Sequence, residues 1–393
     1  MQEIIQKYIH KLEDADLTEP GQALLGFLDA DLVWNRRDAN TELFTKIFDR
    51  ININSLLFAP PKEPYRSIID YLSENEGNTV SPEDCETRTF IHDIPVVPHL
   101  DSEMLLDALK TRKAVIVKNQ GILTYGWVSP EQTYINYSSV CFACFVKFFS
   151  DYLQDYKLGR DDPMQREIIA SALSRLDPLP DIEEVELKHG PFKDKGEVVR
   201  AMDEAGKKVV QYKLVDSFFG NISYLLEDCL YISQTSSSLD ELTGHIDPCP
   251  LDNSSSAGLT ASSELSAHRD ILQKTGHLAV LHGHPKFAVI MSMDCDKKTY
   301  CEQAGECHRR CRENRDVCGF PIVPGEVGSG PFGLCRTVPP AIEEDKGVIV
   351  YGHGVFTTGA QDYNQALRGL LEIEKTCLRE YQRSIDLEAG RKS

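Results

Sequence analysis

The chain has 393 residues, of which 41% are hydrophobic and 26% charged, a balance typical of a packed globular protein of two to three domains. Its 61 acidic residues outnumber its 42 basic residues and give a formal net charge of −19. Because phosphate binding is driven by positive charge, this balance disfavours nucleic acid and anionic membranes as partners. No signal-peptide pattern and no stretch of about 20 apolar residues is visible, so we expect a cytoplasmic protein.

The chain contains an internal repeat. Residues 114–126 (AVIVKNQGILTYG) and 347–359 (GVIVYGHGVFTTG) share six identical positions, and upstream blocks match in the same order. Each copy predicts a buried strand, a glycine turn, a second strand and then a helix, over residues 129–152 and 362–382. Chance similarity between two βα units is the alternative. We predict a domain duplication, with domains at residues 1–160 and 201–393 and a linker at 161–200.

Histidines follow two apolar strands of the second copy. His282 and His284 are two residues apart in an extended segment, so both side chains project to the same face. His353 follows the strand predicted at 348–350 and stands between two glycines. Three histidines that leave a fourth position open are a catalytic zinc arrangement. The alternative is two polar histidines at a strand end and an unrelated third.

An acidic residue precedes these histidines. Glu264 lies 18 positions before His282, in a segment that predicts a helix N-terminus with Ser262 as its cap. Its carboxylate could face the metal and carry a proton. Alternatively, it is an ordinary first-turn glutamate that complements the helix dipole.

Five motifs in this order resemble those of the class II aldolase/adducin family. They are Gly220-Asn-Ile-Ser223, Thr235-Ser236 with the turn at 239–244, Ser262-Ser263-Glu264, His282-Gly-His284-Pro285 and Tyr351-Gly-His353-Gly-Val355. The resemblance covers roughly residues 214–381. It implies an α/β fold, in which each three-layer domain has a central, mostly antiparallel sheet flanked by helices, and this domain is present twice.

The resemblance also implies roles for individual residues. His282, His284 and His353 become ligands of Zn²⁺ or another divalent metal, and Glu264 the acid/base that moves a proton while zinc holds the oxygens of an enediolate. A cradle of hydroxyl and amide donors would hold the phosphate or carboxylate of a small substrate; its members are Asn221, Thr235, Ser236, Ser262 and Ser263.

The activity implied is that of a zinc-dependent lyase that cleaves a carbon–carbon bond in a small hydroxy-carbonyl or sugar-phosphate substrate. The same scaffold also supports epimerases, dehydratases, decarboxylases and non-catalytic scaffolds of the adducin type. One departure bears on this choice, because the family's proton-donating tyrosine is missing from residues 325–333. Tyr351, Tyr363 and Tyr381 are the candidates to replace it.

The first copy lacks the metal ligands. Gln120 stands at the position of His353, and Phe58-Ala-Pro-Pro-Lys62 replaces the His-x-His-Pro segment. Glu42 is aligned with Glu264. We therefore predict that residues 1–160 are a degenerate, non-catalytic copy, since zinc has no ligands there.

A cysteine cluster occupies an insertion in the second copy, at residues 295–318. Its members are Cys295, Cys301, Cys307, Cys311 and Cys318. Their spacing contains no Cys-x2-Cys pair, and four interpretations remain open: a second zinc site, an iron–sulfur cluster, a redox or disulfide role, and unliganded loop thiols.

The duplication leads to an expectation about assembly. Class II aldolases form four-fold rings in which a neighbouring subunit completes each active site. A chain with two copies could build such a ring as a homodimer with pseudo-four-fold symmetry and two zinc sites. The alternative is a monomer whose two copies pack on each other.

Overall fold

The computed structural model describes residues 1–216, 218–298, 300–327, 329–342 and 347–386. The chain divides into two compact units, one made of residues 1–155 and 159–176, the other of residues 156–158 and 177 onward. One boundary, between residues 176 and 177, lies within 161–200, the segment predicted to be a linker, and the others, between residues 155 and 159, lie before it. That segment is partly helical, because it contains the helix Pro163–Ser174 and the start of another at Lys195. No helix in the described residues is long and apolar enough to cross a bilayer.

The first unit combines seven described strands with seven described helices. The strands are β1 (Leu24–Leu28), β2 (Leu32–Trp34), β3 (Ser55–Ala59), β4 (Thr79–Val80), β5 (Ile94–Val97), β6 (Ala114–Val117) and β7 (Gly121–Gly126). The helices are α1 (Gln2–Asp14), α2 (Thr41–Phe48), α3 (Tyr65–Asn75), α4 (Cys85–Phe90), α5 (Ser102–Leu109), α6 (Pro130–Lys157) and α7 (Pro163–Ser174).

The second unit combines eight described strands with five described helices. The strands are β8 (Asn221–Leu226), β9 (Cys229–Ser233), β10 (Ile246–Pro250), β11 (Ala279–Gly283), β12 (Arg315–Val317), β13 (Phe320–Val323), β14 (Val348–Val350) and β15 (Gly354–Gly359). The helices are α8 (Lys195–Gln211), α9 (Leu265–Thr275), α10 (Lys286–Met293), α11 (Leu334–Ala341) and α12 (Tyr363–Ser384).

The two sheets have the same topology. The first has the strand order β2-β1-β3-β7-β6-β5-β4, and the second has β9-β8-β11-β15-β14-β13-β12 with β10 added at one edge. Within the described strands, β5 with β6 and β13 with β14 are the parallel pairs, and all other neighbours are antiparallel. The predicted fold class, a mostly antiparallel α/β domain present twice, is confirmed.

Close packing explains why the repeat keeps its glycines. A β-carbon on Gly121 would lie 2.6 Å from the carbonyl oxygen of Ala59, and one on Gly354 would clash with the carbonyl oxygen of Gly283. These two contacts are equivalent in the two sheets, because β7 pairs antiparallel with β3 as β15 pairs with β11. The repeat therefore preserves a backbone approach that only glycine permits.

The second unit is layered around its sheet. Val280 and Phe356 belong to a buried cluster with residues of α9 and α11, on one face. On the other face α12 packs against the sheet, with Leu370 beside Gly283. Alternate residues of a strand thus enter different layers, and the polar residues gather where β11 ends.

Candidate metal centre

Three histidines converge at one end of the second sheet. His282 lies at the end of β11, His284 follows that strand, and His353 lies in the turn between β14 and β15. The Nε2 atom of His282 is 2.9 Å from that of His284 and 3.2 Å from that of His353. All three side chains are at most 3% exposed. The ligand atoms of these three histidines all lie within 4.8 Å of one another, so they could hold one metal ion.

The surroundings leave the imidazoles ready to bind a cation. The Nδ1–H of His282 donates to the carbonyl oxygen of Val355 at 3.0 Å, so its Nε2 lone pair points into the cluster. Burial lowers the pKa of His282 to about 4 and the pKa of His284 well below its ordinary value, so both are neutral at pH 7. A tetrahedral zinc ion about 2.0–2.1 Å from each nitrogen separates neighbouring nitrogens by about 3.3–3.4 Å, close to the spacings found here.

Glu264 lies beside the triad. It immediately precedes α9, is 4% exposed, and places Oε1 3.1 Å from Nε2 of His353 and Oε2 3.4 Å from Nε2 of His282. Burial would raise the pKa of Glu264, but the hydrogen bonds that its carboxylate accepts from His353 and from the amide of Asn221 hold the pKa below its ordinary value. The carboxylate is therefore ionised and directed at the histidines.

The expected capping role of Ser262 is wrong. The helix begins at Leu265, and no side chain caps it. The hydroxyl of Ser262 instead accepts a hydrogen bond from the backbone N–H of Glu264 at 3.3 Å. Ser262 thus holds the turn that precedes the helix and carries the carboxylate.

Two motif glycines make room for His282. Gly220 has a φ of +87°, and a β-carbon on it would lie 2.6 Å from the carbonyl oxygen of His282. A β-carbon on Gly354 would lie 2.9 Å from Cε1 of the same imidazole. Both positions require glycine for steric reasons, which explains their place in the motifs.

The turn after β11 is anchored from α12 and from the segment before β8. Both carboxylate oxygens of the buried Glu374 accept backbone N–H groups of α10, from Phe287 at 3.0 Å and Ala288 at 2.9 Å. Lys286 pairs with Asp216 at 2.6 Å between Nζ and Oδ2. These contacts fix the chain directly after His284. Glu374 was not predicted as a functional residue, and its only signal in the sequence was an acidic residue on the apolar face of a predicted helix.

The predicted cradle residues lie on two adjacent segments. The backbone N–H of Thr235 donates to the carbonyl of Thr260 at 3.0 Å, and its hydroxyl donates to the carbonyl of Ala261 at 2.9 Å. This pairing brings Thr235 and the exposed Ser236 beside Ser262 and Ser263.

Asn221, the fifth predicted cradle residue, is placed differently. Its side chain is 7% exposed and its Nδ2 donates to Oε2 of Glu264 at 2.9 Å. Its Oδ1 faces the imidazole of His268, a residue to which the sequence analysis gave no role. The available signal was the spacing of four residues between Glu264 and His268, which places both on one side of a helix.

Two of the three candidate tyrosines are buried in packing contacts. The hydroxyl of Tyr363 donates to the carbonyl of Ser223 at 2.8 Å, and the ring of Tyr381 packs against Phe287. Tyr351 is half-buried two residues before His353, with Arg315 over its ring at 5.6 Å. Tyr351 is thus the candidate that retains access to solvent.

The first unit has the equivalent backbone without the ligands. Strand pairing places Phe58 where the second unit has His282, and Gln120 directly before Gly121 as His353 precedes Gly354. The predicted alignment of Glu42 with Glu264 is wrong. Glu42 lies inside α2, is 85% exposed and pairs with Lys46. Asn40, which precedes α2, is the counterpart of Glu264.

The cysteine cluster does not form a ligand group in this structure. Of the described residues, which include all five cysteines, no three bring their sulfur atoms together, and none of the five is disulfide-bonded. Cys301 and Cys318 are exposed, and Cys318 lies in the turn between β12 and β13.

Comparisons with known proteins agree with the motifs. The model of the "Class II Aldolase and Adducin N-terminal domain" matches residues 200–381. No curated protein matches the chain. Similar solved structures include L-fuculose-1-phosphate aldolase from Thermus thermophilus, which is 19% identical, with a TM-score of 0.38 over 50% of this chain and 97% of that one. They also include YgbL from Escherichia coli, a putative aldolase/epimerase/decarboxylase, which is 19% identical, with a TM-score of 0.37 over 47% and 87%.

The family assignment rests on the family model, and the histidines and Glu264 all fall within the matched range. Residues 200–381 of this chain are a domain of the class II aldolase and adducin family.

Proposed function

We propose that the second unit is a zinc-dependent lyase that cleaves a small hydroxy-carbonyl or sugar-phosphate substrate by way of an enediolate. The observation that carries the proposal is the convergence of three buried imidazoles with one ionised carboxylate beside them. A scaffold without catalytic activity has no use for this cluster, which is costly to bury.

The roles follow from the donor set. His282, His284 and His353 would hold the ion, and an all-nitrogen set of three suits zinc. When bound, the ion supplies Lewis acidity that stabilises negative charge developing on a substrate oxygen. Glu264 would accept the substrate proton at Oε1 or Oε2, and its hydrogen bond from Asn221 holds the carboxylate in place for that transfer.

The substrate class follows from the hydroxyl groups beside Glu264. Thr235, Ser236 and Ser263 are exposed on adjacent segments. The hydroxyl of Thr235 already donates to Ala261, and those of Ser236 and Ser263 can donate to a phosphate or carboxylate without a net positive charge. L-fuculose 1-phosphate, the compound in the name of the similar Thermus thermophilus aldolase, is the first compound to test.

The first prediction concerns metal content. We expect about one zinc or other divalent ion per chain in the purified protein, and a large loss in His282→Ala or His353→Ala, because two imidazoles make a poor site. Far-ultraviolet circular dichroism should remain unchanged, since the ligands lie at strand ends outside the apolar core. The matched control is Gln120→Ala, at the position equivalent to His353. Loss of metal in the control, or full metal in both histidine variants, would contradict the proposal.

The second prediction concerns Glu264. In a panel of sugar phosphates and hydroxy acids, beginning with L-fuculose 1-phosphate, we expect metal-dependent turnover that Glu264→Gln lowers by about 10²–10⁴-fold, the usual contribution of a general acid–base group. The matched control is Glu42→Gln, since Glu42 lies on the surface of the first unit. Full activity of Glu264→Gln on a substrate of the wild-type protein would refute the assignment. The products identify the reaction as cleavage, epimerisation, dehydration or decarboxylation.

We further propose that two chains assemble into a ring in which catalytic and degenerate units alternate. A unit without ligands can still supply the wall of a neighbouring site, so its loss of metal would not prevent assembly. Closed symmetric assemblies are the common form of soluble oligomers.

The third prediction is the mass of this assembly. Light scattering at micromolar concentration should give about twice the 44.2 kDa of one chain. A stable mass of one chain would exclude the ring and leave the monomer with two packed units.

A further inference from the structure

A series of buried hydrogen bonds ends at Oε2 of Glu264, the carboxylate oxygen that lies 3.4 Å from Nε2 of His282. The Oγ of Ser223, on β8, lies 2.7 Å from Nδ1 of His268, on α9. Nε2 of His268 bonds Oδ1 of Asn221, and Nδ2 of Asn221 donates to Oε2 of Glu264 at 2.9 Å. His268 and Ser223 are completely buried, so no water competes for these contacts.

The chemistry of the groups decides which of them donates in each of these hydrogen bonds. A carboxylate oxygen only accepts, so the amide nitrogen of Asn221 must face Glu264 and the amide oxygen must face His268. His268 then donates from Nε2. Burial lowers the pKa of His268 to about 3, so the ring is neutral and its Nδ1 accepts the hydroxyl proton of Ser223. All three hydrogen bonds point toward the carboxylate, and bonds aligned in this way strengthen one another.

The first unit provides a natural comparison. Strand pairing puts Leu24 at the position of Asn221 and Gly26 at that of Ser223. The fourth residue of α2 is Phe44, as the fourth residue of α9 is His268. The first unit thus has the same sheet but none of the residues that form these hydrogen bonds, so the fold does not need the hydrogen bonds. They occur only where the carboxylate and the histidine triad also occur.

We propose that His268 is a positioning residue that fixes the amide of Asn221 and, through it, aims the carboxylate of Glu264 at the open side of the histidine triad. This inference rests on the proposed metal site. Without the Nε2–H of His268, the amide of Asn221 is free to turn its oxygen toward Glu264. Two oxygens that both accept hydrogen bonds would then face each other, and the carboxylate would be repelled. Glu264 then rotates away from His282 and His353, while the histidines themselves stay in place.

Cobalt(II) in place of zinc reports on this geometry, because its visible absorption depends on the groups around the ion. We expect His268→Phe to bind about one Co²⁺ per chain, as the wild-type protein does, but with an altered absorption band. Phenylalanine is the residue the first unit places there. The altered band should match that of Glu264→Gln, and the double variant Glu264→Gln/His268→Phe should give no further change, as expected for two residues that act through one group.

The matched control is His277→Phe. His277 is half-buried and bonds Thr358 through Nδ1 at 2.9 Å, outside the series of hydrogen bonds described above. It should keep the wild-type band. A wild-type band in fully loaded His268→Phe overturns the proposal, as does a double variant whose spectrum differs from that of Glu264→Gln.

A second measurement uses the wild-type protein without metal, so it does not depend on the folding of a variant. In ¹⁵N-histidine-labelled wild-type protein without metal, nuclear magnetic resonance should show that His268 is neutral at pH 7 and carries its proton on Nε2. Contacts from the ring protons to α9 identify the signals of His268. A proton on Nδ1, or on both nitrogens, overturns the proposed direction. If the wild-type protein binds no Co²⁺, the proposed function fails, and the protonation of His268 still tests the series of hydrogen bonds separately.

Discussion

Burial of three imidazoles and a carboxylate in one place is the constraint on which the second unit depends. Each polar group taken out of water must find a partner or destabilise the fold, by about 1–3 kcal/mol for an unpaired group. His282 meets this requirement through Val355, and Glu264 through Asn221. The Nε2 atoms of the triad face one another, an arrangement that a shared cation satisfies best.

The first unit shows what the same sheet looks like without that constraint. Its counterparts of Asn221, His268 and His282 are Leu24, Phe44 and Phe58, which belong to one buried apolar cluster. The rings of Phe44 and Phe58 lie 5.3 Å apart. Apolar packing therefore supports this topology unaided. The fold does not require polar residues at these positions, so the polar cluster of the second unit is best explained by a function.

Much of the fold could be predicted because local patterns encode it. The repeated glycines marked both strand–turn–strand units, since a β-carbon there would meet the neighbouring strand. The helices expected at 129–152 and 362–382 are present as Pro130–Lys157 and Tyr363–Ser384. The spacing of His282 and His284 correctly indicated that their side chains would meet, because strand residues two apart share a face.

The remainder depended on contacts between distant segments. Asn221 looked like an anion-binding residue, yet its side chain bonds Glu264 and His268, more than forty positions along the chain. Glu42 was misaligned because the start of α2 is set by packing of Phe44 and Ile47, which places the acidic side chain in solvent. The five cysteines are close in sequence, but no three of them bring their sulfur atoms within 4.8 Å of one another, and no periodicity could have predicted this.

We propose above that the second unit alone holds a metal ion, at the histidine triad. Anomalous X-ray diffraction at the zinc edge, from crystals of the protein purified without chelator, shows directly where a metal lies. We expect one peak per chain, about 2.0–2.1 Å from Nε2 of His282, His284 and His353, and no peak beside Gln120. A peak among the cysteines, or beside Gln120, with none at the triad would contradict it.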